Sequence, residues 1–245
     1  EAHGKIVSFT DLILAKANPA WANNSGHMGN YFSIQGGTVT YTKCTFPNGA
    51  RTSGGTATYT ACTFQNSSEY GLWVYDDALV TVNGGTIDSK KGIKVYSEGE
   101  ESVTSTLTVQ NATFTANVTA KPAVAVGYAQ SITLIGNTYN NPTAHVELDS
   151  GSDADCEGIT FVAQDAEGND IASTLKMTDR SNSNAPCGVL CDGKIYTTVT
   201  EAASDATPGS TVTLLYASTE TVELPAGVIL DTNGYTADGV TVTQP

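Results

Sequence analysis

The sequence is poor in basic residues and contains only two arginines, Arg51 and Arg180. Eleven Lys and Arg stand against 25 Asp and Glu, which gives a formal net charge of −14. Nucleic acids and anionic membranes bind through clustered Lys and Arg, so this charge balance argues against both as partners. Anionic sugars and phosphates are usually held by the forked guanidinium group, so an anionic ligand is not expected either.

Long apolar runs are also missing. No stretch approaches the roughly 18–20 apolar residues of a membrane span, so we expect no membrane insertion by this segment. The N-terminus lacks the charged-then-apolar pattern of a secretion signal, and we expect any export signal or anchor to lie outside the segment. With 40% hydrophobic and 15% charged residues, the composition is nevertheless not that of a disordered acidic chain.

Cysteine is present, but at no spacing typical of a metal or redox site. The five cysteines are an odd number, and three residues rather than two separate Cys187 from Cys191. Nucleophile-elbow, phosphate-loop and dinucleotide-binding motifs are absent as well. We therefore expect small buried thiols, with at most one or two disulfides, and no cofactor.

Thr, Gly, Val and Asn are abundant, a composition typical of strands and tight turns. One pattern, apolar-Thr-apolar-x-x-x-Thr-apolar, recurs at intervals of 18, 23, 27 and 25 residues. Its alternating apolar residues predict a short strand, and the small or polar residues that follow predict a bend. The five copies are Val39–Phe46, Ala57–Phe64, Val80–Ile87, Leu107–Phe114 and Ile132–Tyr139.

A second series of short strands lies between these copies. One strand-bend-strand unit cannot bury its apolar face alone, whereas stacked units form a continuous core. A β-sandwich would also contain short strands, but it does not explain why one sequence pattern recurs. We therefore predict an all-β, right-handed parallel β-helix. The strands of the second series are YFSIQGG (31–37), GLWVYDD (71–77), GIKVYSE (92–98), AVAVGYA (123–129) and AHVELDS (144–150).

The first two copies, VTYTKCTF and ATYTACTF, place Cys44 and Cys62 at equivalent positions. Residues stacked in successive rungs lie ~4.8 Å apart with parallel side chains, a poor geometry for a disulfide. We therefore predict that both thiols are reduced and buried in one stack with Gly85, Ala112 and Asn137.

The repeat over residues 30–165 resembles the pectate-lyase-like β-helix repeats of bacterial surface and secreted proteins. That resemblance implies the fold but no single function, because the fold carries lyases, hydrolases, adhesins and phage tailspikes. Segment 193–245 contains a helix candidate, Val199–Ala206, followed by three strand patterns and a DTNG turn. It resembles a motif of large surface proteins of gut Firmicutes, in which a short helix leads into β-helix rungs.

From these patterns we divide the chain into a β-helix domain, residues 1–178, and a C-terminal β-rich module or cap, residues 179–245, which alternatively continues the helix. The resemblance implies a piece of a larger multi-module protein that is secreted or attached to the cell wall.

Three aspartates are candidates for catalysis. Glycoside hydrolases use two carboxylates about 5–9 Å apart, and adjacent rungs would bring Asp76 or Asp77 close to Asp88. However, the Asn-x-Asp, Gly-His-Gly and Arg-x-Lys motifs of polygalacturonase-like enzymes are absent. Surface aspartates in turns are the alternative that we favour.

The stretch DADCEG matches part of a calcium loop. Asp153, Asp155 and Glu157 occupy its first, third and fifth positions, where alternate carboxylates converge on the ion. Gln164 occupies the twelfth position, where a bidentate Glu is expected, and no flanking helices are predicted. We favour an acidic turn between two strands and keep a Ca²⁺ site as the alternative.

Aromatic residues supply the candidate binding site. Trp73 and Tyr75 lie two positions apart on one strand face, and Tyr70 and Tyr96 fall in neighbouring units. If this face points outwards, stacked rungs would form an aromatic strip, a common platform for sugar rings. If it points inwards, these residues belong to the core. The alternating aliphatic residues fit the interior better, so we predict that the aromatic residues face outwards.

The first functional hypothesis is a non-enzymatic cell-surface module that acts as an adhesin or scaffold and binds a glycan or a host surface protein. Its basis is the lack of catalytic motifs, the acidity and the resemblance of the C-terminal segment. The alternative is a polysaccharide lyase or glycoside hydrolase on the same fold, which rests on analogy of fold alone.

Overall fold

The computed structural model describes residues 5–15, 32–96, 105–115, 117–118, 122–140, 142–151 and 156–243. Within this part the chain is built from short strands, one α-helix and a single 3₁₀ turn. The helix α1 spans Val199–Asp205, and the 3₁₀ turn spans Ala172–Thr174.

The strands follow one another in chain order and most are two to six residues long. They are Ile6–Thr10 (β1), Phe32–Gln35 (β2), Thr38–Thr42 (β3), Thr45–Phe46 (β4), Ala50–Ser53 (β5), Thr56–Thr60 (β6), Thr63–Tyr75 (β7), Leu79–Asn83 (β8), Thr86–Tyr96 (β9), Thr106–Gln110 (β10), Thr113–Phe114 (β11), Val124–Val126 (β12), Ser131–Ile135 (β13), Thr138–Tyr139 (β14), Val146–Leu148 (β15), Ile159–Gln164 (β16), Met177–Asp179 (β17), Ala185–Pro186 (β18), Val189–Cys191 (β19), Lys194–Tyr196 (β20), Thr211–Leu214 (β21), Val222–Leu224 (β22), Ile229–Asp231 (β23) and Val240–Val242 (β24).

Two long sheets define a parallel β-helix. Sheet A has the order β1-β3-β6-β8-β10-β13-β16-β20-β19-β21-β23, and its first seven strands are parallel. Sheet B contains β2, β5, β7, β9, β12, β15, β17 and β18, with β4, β11 and β14 joined to β7 and β9. The long strands β7 and β9 shift register between Asn66 and Tyr70, which divides sheet B into two segments.

The register matches the sequence repeat residue by residue. Val39 pairs with Ala57, which pairs with Val80, and the series continues through Leu107 to Ile132. The predicted β-helix and its rungs are therefore confirmed. Strands β1 and β16 add one rung at each end of this series, which the five-copy pattern did not include.

A column of residues with positive φ bends each rung between sheet A and sheet B. In this region of backbone space Gly, Asn and Asp are the least strained residues. The residues of the column have φ between 51° and 69°: Asp11, Lys43, Ala61, Gly84, Asn111 and Gly136.

The predicted cysteine stack is directly inside this bend. Cys44 and Cys62 are free thiols at 1% and 0% exposure, so the predicted reduced and buried pair is confirmed. At the end of the stack, the side chain of Asn137 accepts a hydrogen bond from the Ala112 amide at 2.9 Å. Small and ladder-forming side chains are used here because the interior of the bend has little space.

The interior of the coil is filled by stacked aromatic and aliphatic side chains. Tyr41 stacks on Tyr59 with ring centroids 4.9 Å apart, and Phe46 stacks on Phe64 at 5.3 Å. Parallel in-register pairing forces this arrangement, because equivalent residues of successive rungs lie directly above one another. The Tyr59 hydroxyl is within hydrogen-bond distance, 2.8 Å, of the Thr52 hydroxyl.

The C-terminal module is a shorter coil with its own apolar cluster. Strands β21 and β23 pair in parallel, as do β22 and β24, each with an offset of 18 residues. The antiparallel hairpin of β19 and β20 joins this coil to β16 and keeps sheet A continuous. Helix α1 begins at a capping box of Thr198 and Glu201, which confirms the predicted helix to within one residue. The boundary at residues 178 and 179 stays a prediction.

Candidate functional site

The outer surface of sheet A is a regular array of small polar side chains, here called the threonine face. Strands β1, β3, β6, β8, β10, β13 and β16 each present three side chains outwards, and fourteen of these 21 residues are Thr or Ser. Strands are ~4.8 Å apart, so equivalent hydroxyl groups repeat at that interval. The central column contains Ser8, Thr40, Thr58, Thr81, Thr108 and Thr133.

The threonine face carries no charge. All 21 of its residues are described, and none is Asp, Glu, Lys, Arg or His. Soluble surfaces with about 25–35% charged residues would place about five to seven charges on an area of this size. In a chain with a net charge of −14, the acidic residues are therefore all placed elsewhere, which leaves this face suited to a neutral partner.

The hydroxyl groups of the threonine face are available for hydrogen bonding. Within the described part of the chain, none of the fourteen has an intramolecular partner for its hydroxyl group, and all are at least partly exposed. A threonine side chain combines one donor and two acceptor sites with a methyl group that makes apolar contacts. The face can therefore bind a ligand that is itself rich in hydroxyl groups and in C–H surface.

The predicted aromatic site lies on the outer side of sheet B. Leu72 and Val74 are buried in the coil interior, as predicted, and Trp73 and Tyr75 belong to a separate apolar cluster that also contains Ala125. The orientation of this strand is thus the predicted one. The role of these aromatic residues in ligand binding stays a prediction.

The expectation of an exposed aromatic strip is wrong. Tyr70, Trp73 and Tyr75 are only 8%, 9% and 2% exposed, and Tyr96 is half-buried. The rings pack on each other, with the Tyr70 and Trp73 centroids 5.5 Å apart and those of Tyr75 and Tyr96 6.0 Å apart. Burial of large aromatic surface is favourable, so an outward direction from the coil does not by itself keep these rings in contact with water.

Two cations accompany the aromatic cluster. Arg51 and Lys94 pair on either side of Trp73 in the β5-β7-β9 register. The Arg51 guanidinium carbon lies 4.4 Å from the centroid of Tyr75, and the Lys94 ammonium lies 5.5 Å from that of Tyr96. Both distances are in the range of cation–π attraction.

Lys94 is 3% exposed, and its Nζ has no hydrogen-bond partner among the described residues. Burial lowers the pKa of this lysine, and the positive charge of Arg180 lowers it further. Glu147, which is 2% exposed, lies at the equivalent position two strands further along sheet B, since Lys94 pairs with Ala125 and Ala125 pairs with Glu147. These buried charges form a strip that is closed to solvent in this structure, so it offers no open binding surface.

Asp149 lies beside this strip and is tied to the next rung. Arg180 donates to it at 2.9 Å and the Ser181 hydroxyl donates at 2.5 Å. Burial works against ionisation, but these two groups and the Gly151 amide hold the pKa of Asp149 below its ordinary value. Of the two arginines of the chain, Arg51 lies on β5 of sheet B and Arg180 directly follows β17, and each has an identified partner.

The candidate catalytic aspartates are not brought together. Asp76 and Asp77 follow the end of β7 with φ of 45° and 59°, in the corner where the preceding rung has two glycines, so they are turn residues. Asp88 pairs with Gln65 before the register shift, near the start of β7 and β9, whereas Asp76 and Asp77 follow the end of β7. A carboxylate pair of Asp88 with either of the others is therefore not formed.

Asp88 instead lines a polar pocket of about 420 Å³ on the outside of sheet B. One of its carboxylate oxygens accepts hydrogen bonds from the Thr115 hydroxyl at 2.8 Å and from the side-chain nitrogen of Asn117 at 2.6 Å. Gln65 and Lys90 also line the pocket. This pocket is open to solvent and combines donors with acceptors.

The partial calcium loop falls mostly outside the described residues, since Asp153 and Asp155 are not among them. Glu157 accepts hydrogen bonds from the amide and hydroxyl of Thr197, at 3.1 and 2.6 Å, and so anchors the start of the C-terminal module. Burial and the neighbouring Glu201 raise the pKa of Glu157 to about 7. Among the described residues no group of three His, Cys, Asp or Glu side chains is arranged to hold a metal. The Ca²⁺ site stays a prediction.

The uncharged face was missed by sequence reasoning, although a signal for it exists. The outward positions of each repeat, such as Thr38, Thr40 and Thr42, are visible once the strand period is known. A count of charges at these positions over all copies would have identified the face. Lys94 gave no such signal, because the sequence does not show that its ammonium group is buried.

Comparison with known proteins gave no identification: no family model, no curated protein and no solved structure matches the chain. In the described part of the chain, no helix is long and apolar enough to cross a membrane.

Proposed function

We propose that this chain is a non-enzymatic, extracellular β-helix module that binds a neutral polysaccharide on its threonine face. The observation that carries the proposal is the array of 21 outward residues without a charge, fourteen of which have hydroxyl groups with no intramolecular partner. A neutral glycan offers matching hydroxyl groups and C–H surface. Its repeating units contact the repeating rungs, so many weak contacts add up along one chain.

The electrostatics support the same class of ligand. The net charge of −14 repels polyanions such as pectate or heparin, and the threonine face itself has no cation to attract them. The proposal includes a role as an adhesin or scaffold in a larger bacterial surface protein, secreted or wall-attached, where the same face contacts a glycan of a host surface protein. The resemblance of the C-terminal segment to gut Firmicute surface proteins supports this part.

An enzymatic function on the same fold is the alternative. A glycosidase needs two carboxylates about 5–9 Å apart, whereas Asp88 lies near the start of β9 and Asp76 and Asp77 follow Tyr75, which pairs with Tyr96 at the end of β9. Reducing-sugar and unsaturated-uronate assays on polysaccharide panels should therefore show no turnover. Turnover that Asp88→Asn abolishes would refute the non-enzymatic proposal.

The binding test uses two matched triple variants. The first, Thr58→Val, Thr81→Val and Thr108→Val, removes three hydroxyl groups from the central column and keeps side-chain shape and strand propensity. The control, Thr45→Val, Thr63→Val and Thr86→Val, removes three hydroxyl groups from an equivalent column of sheet B. The control residues lie in the same rungs as the first three or in adjacent rungs. Any general effect of Thr→Val substitution on strand stability should therefore be similar in the two triple variants.

Binding to insoluble cellulose, chitin and β-glucan is measured by depletion from solution, with pectate as the anionic comparison. At about 1 kcal/mol per hydrogen bond, the first variant should bind roughly a hundredfold more weakly. The control should bind like the parent protein. Equal loss in both variants, or preference for pectate, would contradict the proposal.

A further inference from the structure

The pocket at Asp88 lies apart from the threonine face, on the outer side of sheet B. Gln65 and Asp88 pair directly across β7 and β9, and Thr115 follows at the same level after β11. Three polar side chains thus stand side by side on successive rungs, ~4.8 Å apart. The cavity volume of about 420 Å³ falls within the range of small-molecule sites, about 300–1,000 Å³.

The floor of the pocket is held by hydrogen bonds of two buried side chains. Asn66 is 8% exposed, and its carboxamide oxygen accepts from the Ser68 and Glu69 amides at 3.1 and 3.0 Å. Its nitrogen donates to the Asn48 carbonyl at 3.1 Å. Ser89, 1% exposed, donates to the Lys91 carbonyl at 2.5 Å. A site whose walls are already ordered costs little conformational entropy when a ligand binds.

The groups left for a ligand are an acceptor and two kinds of donor. Thr115 and Asn117 both donate to Oδ1 of Asp88, and its Oδ2 has no partner among the described residues. In that same part of the chain, the Gln65 amide and the Lys90 ammonium have no side-chain hydrogen bond. A carboxylate oxygen next to amide and ammonium donors is complementary to adjacent hydroxyl groups, each of which donates and accepts.

We infer that this pocket binds one neutral sugar unit through its vicinal hydroxyl groups. Asp88 and Lys90 give the pocket one negative and one positive group, so it has no net charge that would favour uronic or sialic acids, and Pro47 supplies an apolar contact for the sugar C–H groups. The volume of about 420 Å³ is in the range of small-molecule sites, as expected for a single sugar unit. The inference is independent of the threonine face, which contacts many units of a polymer.

The test is ligand-observed saturation-transfer NMR with the methyl glycosides of glucose, galactose, mannose and N-acetylglucosamine, and with glucuronic acid as the acidic comparison. Asp88→Asn should weaken binding at least tenfold, because a hydrogen bond to a charged acceptor is roughly twice as strong as one to a neutral acceptor. Gln65→Ala should weaken it by a smaller factor. Asp238→Asn, a change of an exposed aspartate in the C-terminal module, is the matched control and should have no effect.

The outcomes separate this site from the threonine face. The Thr58→Val, Thr81→Val, Thr108→Val variant should keep its monosaccharide binding, and Asp88→Asn should keep its binding to insoluble polysaccharide. Circular dichroism verifies that each variant is folded. Absence of saturation transfer from every neutral sugar, preference for glucuronic acid, or unchanged binding in both Asp88→Asn and Gln65→Ala would overturn the inference.

Discussion

The carboxamide of Asn137 connects two rungs at the bend between the sheets. Its oxygen accepts from the Ala112 amide at 2.9 Å, and its nitrogen donates to the Val109 carbonyl at 2.8 Å. Both partners are buried, with Ala112 1% and Val109 0% exposed. Because an amide has a single N–H group, Asn137→Ala leaves the Ala112 donor without a partner.

The cost of this substitution follows from the two lost bonds. An unsatisfied buried donor costs about 1–3 kcal/mol and a typical hydrogen bond contributes about 1 kcal/mol. Because the Asn137 side chain is only half-buried, water can replace part of the loss, and we expect a destabilisation of about 2 kcal/mol. For a chain of this length that corresponds to a decrease in Tm of roughly 4–8 °C.

Calorimetry and hydrogen exchange measure the effect. The Ala112 amide should exchange roughly 30-fold faster in Asn137→Ala, the equivalent of about 2 kcal/mol. Asn137→Asp keeps the acceptor, and its protonated carboxyl group can donate to the Val109 carbonyl. Its stability relative to the parent protein should therefore improve as the pH falls.

Asn140→Ala is the control, since this asparagine is exposed and its side chain has no partner among the described residues. If Asn137→Ala unfolds within 2 °C of the parent protein and its Ala112 amide stays protected, the assigned role of the carboxamide is wrong.

Three further perturbations test the packing and the buried charges. A Cβ on Gly92 would lie 1.9 Å from the Ala123 carbonyl oxygen, so Gly92→Ala should lower the free energy of unfolding in urea by at least about 3 kcal/mol. Gly168 is the control: a Cβ there would have no atom within 4 Å, so Gly168→Ala should lower it by only about 1 kcal/mol, because of the positive φ. Burial raises the pKa of Glu157 from 4.5 to about 7, so between these pH values the native state holds a proton that the unfolded chain releases. Stability should therefore fall by on the order of 1 kcal/mol as the pH rises from 4.5 to about 7. If Glu157→Gln shows the same dependence of stability on pH, this carboxyl group is not its source. The pKa of Lys94 in the native state is below its ordinary value of 10.5, so at pH values between the two the unfolded chain binds a proton that the native state lacks. Stability should therefore rise with pH in this range below 10.5. Lys94→Met should remove this rise and be more stable than the parent protein at pH 7, whereas a less stable variant would show that the ammonium group is needed.

Much of the fold was predictable because it depends on local sequence. The equivalence of Cys44 and Cys62 follows from two nearly identical stretches, and in-register stacking of those stretches buries both thiols. The start of helix α1 follows from the Thr198 and Glu201 pair of a capping box. These features need no knowledge of distant residues.

The candidate sites were less predictable because they depend on which surfaces stay open. Trp73 and Tyr75 were correctly placed on the outer side of their strand, but strand periodicity does not show that they are covered. The partners of Asp88 come from the following rung, and a bend and a register shift decide which residues meet there.

By itself the sequence determined the repeat, the parallel β-helix and the placement of small residues at each bend. Those are consequences of a short apolar pattern that recurs along the chain and is buried when its copies stack. Tertiary structure alone decided that Lys94 is buried, that Asp88 lines an open pocket apart from Asp76, and that an uncharged hydroxyl surface is left facing solvent. Solvent exposure is a property of the assembled coil, because it depends on contacts between residues that are far apart in the chain.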